Sequence, residues 1–259
     1  MLEADASPSR TRAPVGPEMK RLGLLGGMSW ESTAAYYRLV NEAVRDRLGG
    51  LHSADLVLRS IDFAEIEAMQ RKGQWQMAGD RLAQEAGLLA GAGAELLLLC
   101  TNTLHKVIDT ITSRVDIPFL HIADASGEAM CAAGLDKVGL LGSAYTMEQD
   151  FYTGHLRDQH GLTVLIPDHD DRQVVDDIIY RELCLGEVRQ ASRDAYRRVV
   201  TALVQRGAEG ILLGCTEIGL LLRPGDADVP LFDTARLHAE RAVELALRAP
   251  SGAAGPAHP

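Results

Sequence analysis

Two cysteines close matching stretches of the chain, Ala92-Gly-Ala-Glu95-Leu-Leu-Leu-Leu-Cys100-Thr101-Asn102-Thr103 and Arg206-Gly-Ala-Glu209-Gly-Ile-Leu-Leu-Gly214-Cys215-Thr216-Glu217. Each is a short apolar run, read as a buried strand, that ends in a cysteine and small polar residues. In open α/β sheets ligands sit beyond the carboxyl ends of the strands, where these residues fall. A thiol at the start of a following helix has its thiolate favoured by the dipole and free N–H groups. Two proton carriers across one cleft suit a reaction that removes a proton from one face of a carbon and returns one to the other. Inversion of a stereocentre is such a reaction.

Cysteine is also a good inert core residue. Cys131, on a predicted helix, and Cys184, in Glu182-Leu-Cys184-Leu-Gly186, are read as core packing, whereas the repeated polar context of Cys215 points to chemistry. The four cysteines form no CxxC pair and no Cys/His zinc spacing, so no metal is expected. Free thiols, with neither a signal peptide nor a membrane-length apolar run, indicate a cytoplasmic protein without membrane association. A net charge of −10 and the lack of any Lys/Arg block argue against a nucleic-acid partner.

Elements must bring the two stretches together. Residues 21–26 read as a buried strand, and Ser29 caps a helix that carries Tyr37, Val40, Val44 and Leu48 to a stop at Gly49-Gly50. A strand over 54–61, helices over 63–71 and 75–89 and a strand over 95–99 follow. A helix after Thr103, a strand over 117–122 and a helix from Asp124 complete this half. The pattern then restarts. Lys137-Val-Gly-Leu-Leu-Gly142 repeats Arg21-Leu-Gly-Leu-Leu-Gly26, and Val229-Pro-Leu-Phe-Asp233 mirrors Ile117-Pro-Phe-Leu-His121. Thr146-Met-Glu-Gln149 reads as a capping box. Further elements are a strand over 162–166, helices over about 171–184 and 187–205, a strand over 210–214 and a helix over 235–248. Gly23 and Gly139 lie 116 positions apart, and Cys100 and Cys215 lie 115 apart.

The expected fold is therefore α/β, with two pseudo-symmetric units arising from internal duplication. Each unit, 20–134 and 135–248, holds a four-stranded parallel sheet flanked by helices, with the active site in the cleft between them. Terminal helices can cross between units. Residues 1–19 and 249–259 read as a disordered leader and tail.

Other motifs carry less. Gly23-Leu-Leu-Gly26-Gly27 is not the dinucleotide fingerprint. His105-Lys106 reads as a solvated face or a helix-end contact, and Asp168-His-Asp-Asp171 as a charged turn before a helix. None of the four lysines stands in a pyridoxal-phosphate context.

Several of these segments resemble the aspartate/glutamate racemase family of cofactor-independent amino-acid racemases. They are Gly23-Leu-Leu-Gly-Gly-Met28-Ser-Trp-Glu-Ser32, Cys100-Thr-Asn-Thr103 with His105, Gly142 with Thr146, and Gly214-Cys-Thr-Glu217. The variant Leu99-Cys-Thr-Asn-Thr-Leu-His-Lys106 is similar to the enterobacterial L-aspartate/glutamate-specific or broad-specificity type. The resemblance implies an amino-acid substrate, no cofactor, and a homodimer as a common arrangement. It gives Cys215 as one acid/base and Met28, Ser60, Asn102, Thr103, Thr146, Thr216 and Glu217 as substrate contacts.

Two departures matter. The family's first site reads Cys-Asn-Thr, but here Thr101 stands directly before Asn102-Thr103 and the cysteine is one place earlier. A one-residue offset on a strand turns a side chain to the other face, so Thr101 takes the catalytic position and Cys100 points away, with rescue by Cys100 as the alternative. Aspartate-specific relatives also tend to carry a lysine where Cys184 stands, which opens the way to a neutral substrate such as homoserine or to compensation by Arg59. Competing readings are a decarboxylase, hydantoin racemase or cis–trans isomerase on the same cleft, and a two-domain amino-acid sensor.

Overall fold

A computed structural model describes residues 19–248. The segments 1–18 and 249–259 lie outside the described residues. Met19, expected in the leader, packs at the edge of the first core.

The first half runs β1 (Leu22–Gly26), α1 (Trp30–Leu48), β2 (Leu56–Ser60), α2 (Phe63–Arg71), α3 (Trp75–Gly91), β3 (Leu96–Leu99), α4 (Ile108–Thr112) and α5 (Ile122–Ala132). The second runs β4 (Lys137–Gly142), α6 (Ala144–Glu148), α7 (Asp150–His160), β5 (Thr163–Leu165), α8 (His169–Arg181), α9 (Gln190–Gln205), β6 (Gly210–Gly214), α10 (Ile218–Leu221), β7 (Leu231–Asp233) and α11 (Thr234–Leu247). All strand pairs are parallel, in the orders β2-β1-β3 and β5-β4-β6-β7. Each half thus places its opening strand between its second and third. β1 and β3 are fully buried apolar runs, as expected of parallel strands covered on both faces.

The first sheet has three strands rather than four. Its expected last strand is reduced to a bridge between Leu97 and Phe119. Pro118 supplies only its carbonyl, to Leu97 N–H at 2.8 Å, and His121 already caps α5. The capping-box expectation at Thr146 is also corrected. Ser143 caps α6 by accepting from the Thr146 N–H, and the chain breaks at Gln149 before α7.

Alternation along β3 divides the first core. Leu96, Leu98 and Cys100 face α1 and α11, while Leu97 and Leu99 face α2 and α3. The halves exchange their closing helices. α11 packs its Ala235, Ala239, Ala242 and Ala246 into the core of the first sheet, and α5 places Ile122, Ala123 and Met130 in the core of the second. Alanines along one face let α11 approach α1 closely. Within this interlock Tyr36 Oη and His238 Nδ1 lie 2.8 Å apart, and His238 Nε2 lies 3.0 Å from the Leu120 carbonyl.

Candidate active site

The carboxyl ends of both sheets open onto one narrow cleft with about 370 Å³ of empty space. The first half lines it with Met28, Phe63, Gln70, Thr101, Asn102 and Thr103. The second contributes Ser143, Ile179, Tyr180, Cys184, Gly214, Cys215, Thr216 and Glu217.

At the end of β3 the strand period separates Cys100 from Thr101. Cys100 is fully buried among α1 and α11 residues, and burial pushes its thiol far up from the ordinary range. It lies outside the cleft lining, whereas Thr101, the next residue, is part of it. His105 fixes this turn. Its Nδ1–H donates to the Thr101 carbonyl at 2.8 Å, and its Nε2 accepts from the Ile122 N–H at 3.2 Å. Burial, then His121 and His238, hold this imidazole neutral. Of the two readings of His105, a solvated face or a helix-end contact, the second holds, because its Nε2 meets the first N–H of α5. It is a buried brace between the Thr101 loop and the start of α5.

At the end of β6 the thiol of Cys215 donates to Glu217 Oε2 at 2.9 Å, and so does the Thr216 hydroxyl, also at 2.9 Å. The other carboxylate oxygen accepts from Ser29 Oγ at 2.7 Å. Ser29 is also the N-cap of α1, so one serine ties the first half to the carboxylate of the second. The opposite side repeats the plan with different chemistry. Thr103 stands two places after Thr101, as Glu217 stands two after Cys215, and its Oγ1 meets the α6 cap Ser143 at 2.9 Å. A thiol–carboxylate pair thus faces a pair of hydroxyls.

The thiolate expected from a helix dipole is not what the structure shows. Burial, followed by the Glu217 carboxylate and Cys184, pushes the Cys215 thiol well above its usual range. α10 spans only Ile218–Leu221, too short to offset these effects. Cys215 is a neutral thiol held against a carboxylate that can receive its proton.

Not every anticipated contact reaches the cleft. Met28, Asn102, Thr103, Thr216 and Glu217 line it. Thr146 is fully buried behind it, 3.3 Å from Thr103 Oγ1 and 3.2 Å from Ser143 Oγ, and supports those hydroxyls instead of lining the cleft. Ser60 is exposed at the end of β2 and lies outside the lining. Arg59 is drawn to the buried Glu85, which Arg81 also holds. Two cysteines read as core packing lie elsewhere: Cys131 is exposed, and Cys184 lines the cleft with its Sγ 3.8 Å from Glu217 Oε1. Phe63, Gln70, Ser143, Ile179 and Tyr180 escaped the sequence reading. Gln70 alone left a signal, a polar residue one turn after Ile66 on the inward face of α2.

His121, Asp124 and His155 place donor atoms within 4.8 Å of one another, between α5 and α7. Their bonds serve packing. Asp124 Oδ1 lies 2.6 Å from His155 Nε2 and 3.1 Å from His160 Nε2, and His121 Nδ1 caps α5 through the Ala123 N–H. The His121 and His155 rings are stacked at 4.1 Å, with only 4° between their planes. With the ring planes parallel, the in-plane lone pairs of the two imidazoles lie in separate planes and do not converge on one ion. No lysine lines the cleft among the described residues, so its walls offer no amine for a Schiff base. No helix among the described residues is long and apolar enough to cross a membrane.

Residues 25–242 match the family model for Asp/Glu/hydantoin racemases. The chain belongs to that family. Among solved structures, a candidate Asp/Glu racemase from Yersinia pestis is similar at 54% identity, covering 89% of this chain and 100% of that one with a TM-score of 0.83. An aspartate racemase homologue from Pyrococcus horikoshii OT3 is similar at 34% identity over 89% and 100% of the two chains, with a TM-score of 0.78. The Picrophilus torridus aspartate racemase shares the fold at 20% identity, covering 88% and 94% with a TM-score of 0.72. Racemase-family membership makes this chain an isomerase by kinship.

Proposed function

We propose that the protein is a cofactor-independent amino-acid racemase that moves the α-proton between Cys215 and Thr101. The observation that carries this reading is the placement of both residues in one cleft, each at the carboxyl end of a strand from a different half. In one direction Cys215 gives its proton to Glu217 and the resulting thiolate takes the α-proton of the substrate. Thr101, relayed through solvent, returns a proton to the opposite face. In the other direction solvent held by Thr101 takes the α-proton, the Cys215 thiol donates to the opposite face, and the thiolate regains its proton from Glu217. Asn102 Oδ1, a buried acceptor without a partner among the described residues, suits the α-ammonium, and the Thr103, Ser143 and Thr216 hydroxyls suit the α-carboxylate.

A hydroxyl is a far weaker acid than a thiol and holds little alkoxide near neutral pH. The enantiomers interconvert with an equilibrium constant of one, so kcat/KM is the same for both. The unequal carriers therefore separate kcat and KM individually. Aspartate and glutamate are the substrates suggested by kinship. One observation favours a second reading, an uncharged side chain such as that of homoserine: among the described residues no Lys or Arg lines the cleft.

Incubating single enantiomers in D2O without added cofactor tests the proposal. Deuterium at Cα of the inverted product is expected. No exchange with any amino acid would remove the racemase reading.

A further inference from the structure

Thr101 owes its direction to its backbone. A β-branched side chain is stiff at χ1, so its hydroxyl turns with the peptide plane that carries it. Both backbone groups of Thr101 are held. Its N–H donates to the Leu99 carbonyl at 2.9 Å, closing a three-residue turn at the end of β3. Its carbonyl accepts from His105 Nδ1–H at 2.8 Å. The residues that follow are tied separately. Asn102 Nδ2 donates to Thr234 Oγ1 at 3.1 Å, and Thr103 Oγ1 meets Ser143 Oγ. The imidazole is thus the one side chain hydrogen-bonded to Thr101 itself among the described residues.

The partners of His105 leave it one form. The Ile122 N–H can only donate, so Nε2 is the acceptor, and the single proton of a neutral ring sits on Nδ1, aimed at Thr101. The residue is 2% exposed and walled by three other rings, with centroids of His121 at 4.5 Å, Phe119 at 5.5 Å and His238 at 6.2 Å. These walls oppose a flip that would exchange ring nitrogen for carbon. Helix capping does not explain the donor. α5 has its cap in His121, whose Nδ1 accepts from the Ala123 N–H at 3.1 Å, and a helix N-terminus asks only for acceptors. The Nδ1–H of His105 therefore serves Thr101 rather than the helix.

We propose that His105 is a positioning residue for proton transfer at Thr101: its Nδ1–H holds the Thr101 carbonyl so that the hydroxyl faces the cleft shared with Cys215. The inference rests on the racemase reading. Asn and Leu form the probe pair, because they share a branched outline and both abandon the Ile122 N–H, while only Asn can donate to the Thr101 carbonyl. Inversion and α-deuteration should be followed in D2O from each pure enantiomer. His105→Leu should slow inversion by about 10–100-fold, since displacing a reacting group by about 1 Å can cost about 100-fold. From the enantiomer whose α-hydrogen faces Cys215, total α-deuteration should fall by no more than about threefold and shift from inversion to retention. His105→Asn should invert at least about fivefold faster than His105→Leu, although the amide is the costlier of the two to bury. A merely structural brace predicts the reverse order or none. Equal loss of inversion and exchange in His105→Leu, or an Asn variant no faster than the Leu variant, would overturn the inference. Wild type without α-exchange on any amino acid would instead remove the racemase reading. Nitrogen NMR shifts of the wild-type His105 ring give a readout that needs no variant to fold. A neutral ring protonated at Nδ1 is expected near neutral pH, and a proton on Nε2 would overturn the assignment.

Discussion

Glu217 sets the state of Cys215. Its carboxylate takes the thiol hydrogen bond and, after burial, is the largest influence holding the thiol up. Removing that charge has two effects of opposite appearance. Glu217→Gln should bring the Cys215 pKa down, so iodoacetamide alkylates the thiol faster at a fixed pH near neutrality. It should also slow racemisation by about 10–100-fold, because the group that receives the thiol proton is gone. Parallel measurement of both rates tests this, and a variant slower in both would contradict the assigned role. Cys100 makes the converse case. It lies in the core among α1 and α11 residues, so Cys100→Ser should lose about 1–3 kcal/mol in chemical denaturation by burying a hydroxyl without an assured partner. Its kcat should stay within about threefold of wild type. That separation of adjacent residues was legible in the sequence, because a strand alternates its faces. The elevated thiol was not, because Glu217 needs Ser29, 188 positions away, to hold its other oxygen.

At the scale of elements, strand order and most helices follow from apolar runs and periodicity. The capping of α6 by Ser143 does not, because Thr146 begins an equally good local pattern and only the hydroxyl cluster with Thr103 favours the earlier residue. Neither could local pattern locate Cys184. Its Leu-Cys-Leu context is apolar, yet the segment between α8 and α9 turns it toward Glu217. The exchange of α5 and α11 makes the elements mutually dependent. Ala242 is fully buried in the first core on α11. Ala242→Leu should destabilise the protein by about 1–3 kcal/mol through overpacking, with KM unchanged because the residue is outside the cleft lining. Urea denaturation and steady-state kinetics on the same preparation check both halves of this statement.

For the whole molecule, the helix exchange predicts one cooperative unfolding transition, since neither sheet completes its core without a helix from the other half. Stability should also fall in mild acid. Burial lowers His238 from 6.5 to about 4 in the folded state, so between those values the unfolded chain binds more protons than the native one. The contribution is complete above pH 6.5, is lost as pH falls through that window, and levels off below about 4. For this group alone the loss approaches about 3 kcal/mol. His238→Gln should flatten the profile across that window in chemical denaturation, even though its absolute stability is lower. A profile identical in slope to wild type would exclude His238 as the source.

The same interlock brings Thr101 of one half and Cys215 of the other to a shared cleft, and α-hydrogen exchange in D2O tests their proposed role as proton carriers most directly. Wild type, Cys215→Ser, Thr101→Ala and Cys100→Ser should be compared for deuterium at Cα and for inversion, starting from each pure enantiomer. Loss of inversion by about 10²–10⁴-fold in Cys215→Ser and Thr101→Ala, with Cys100→Ser close to wild type, is the predicted result. An inactive Cys100→Ser that remains folded, beside an active Thr101→Ala, would contradict it.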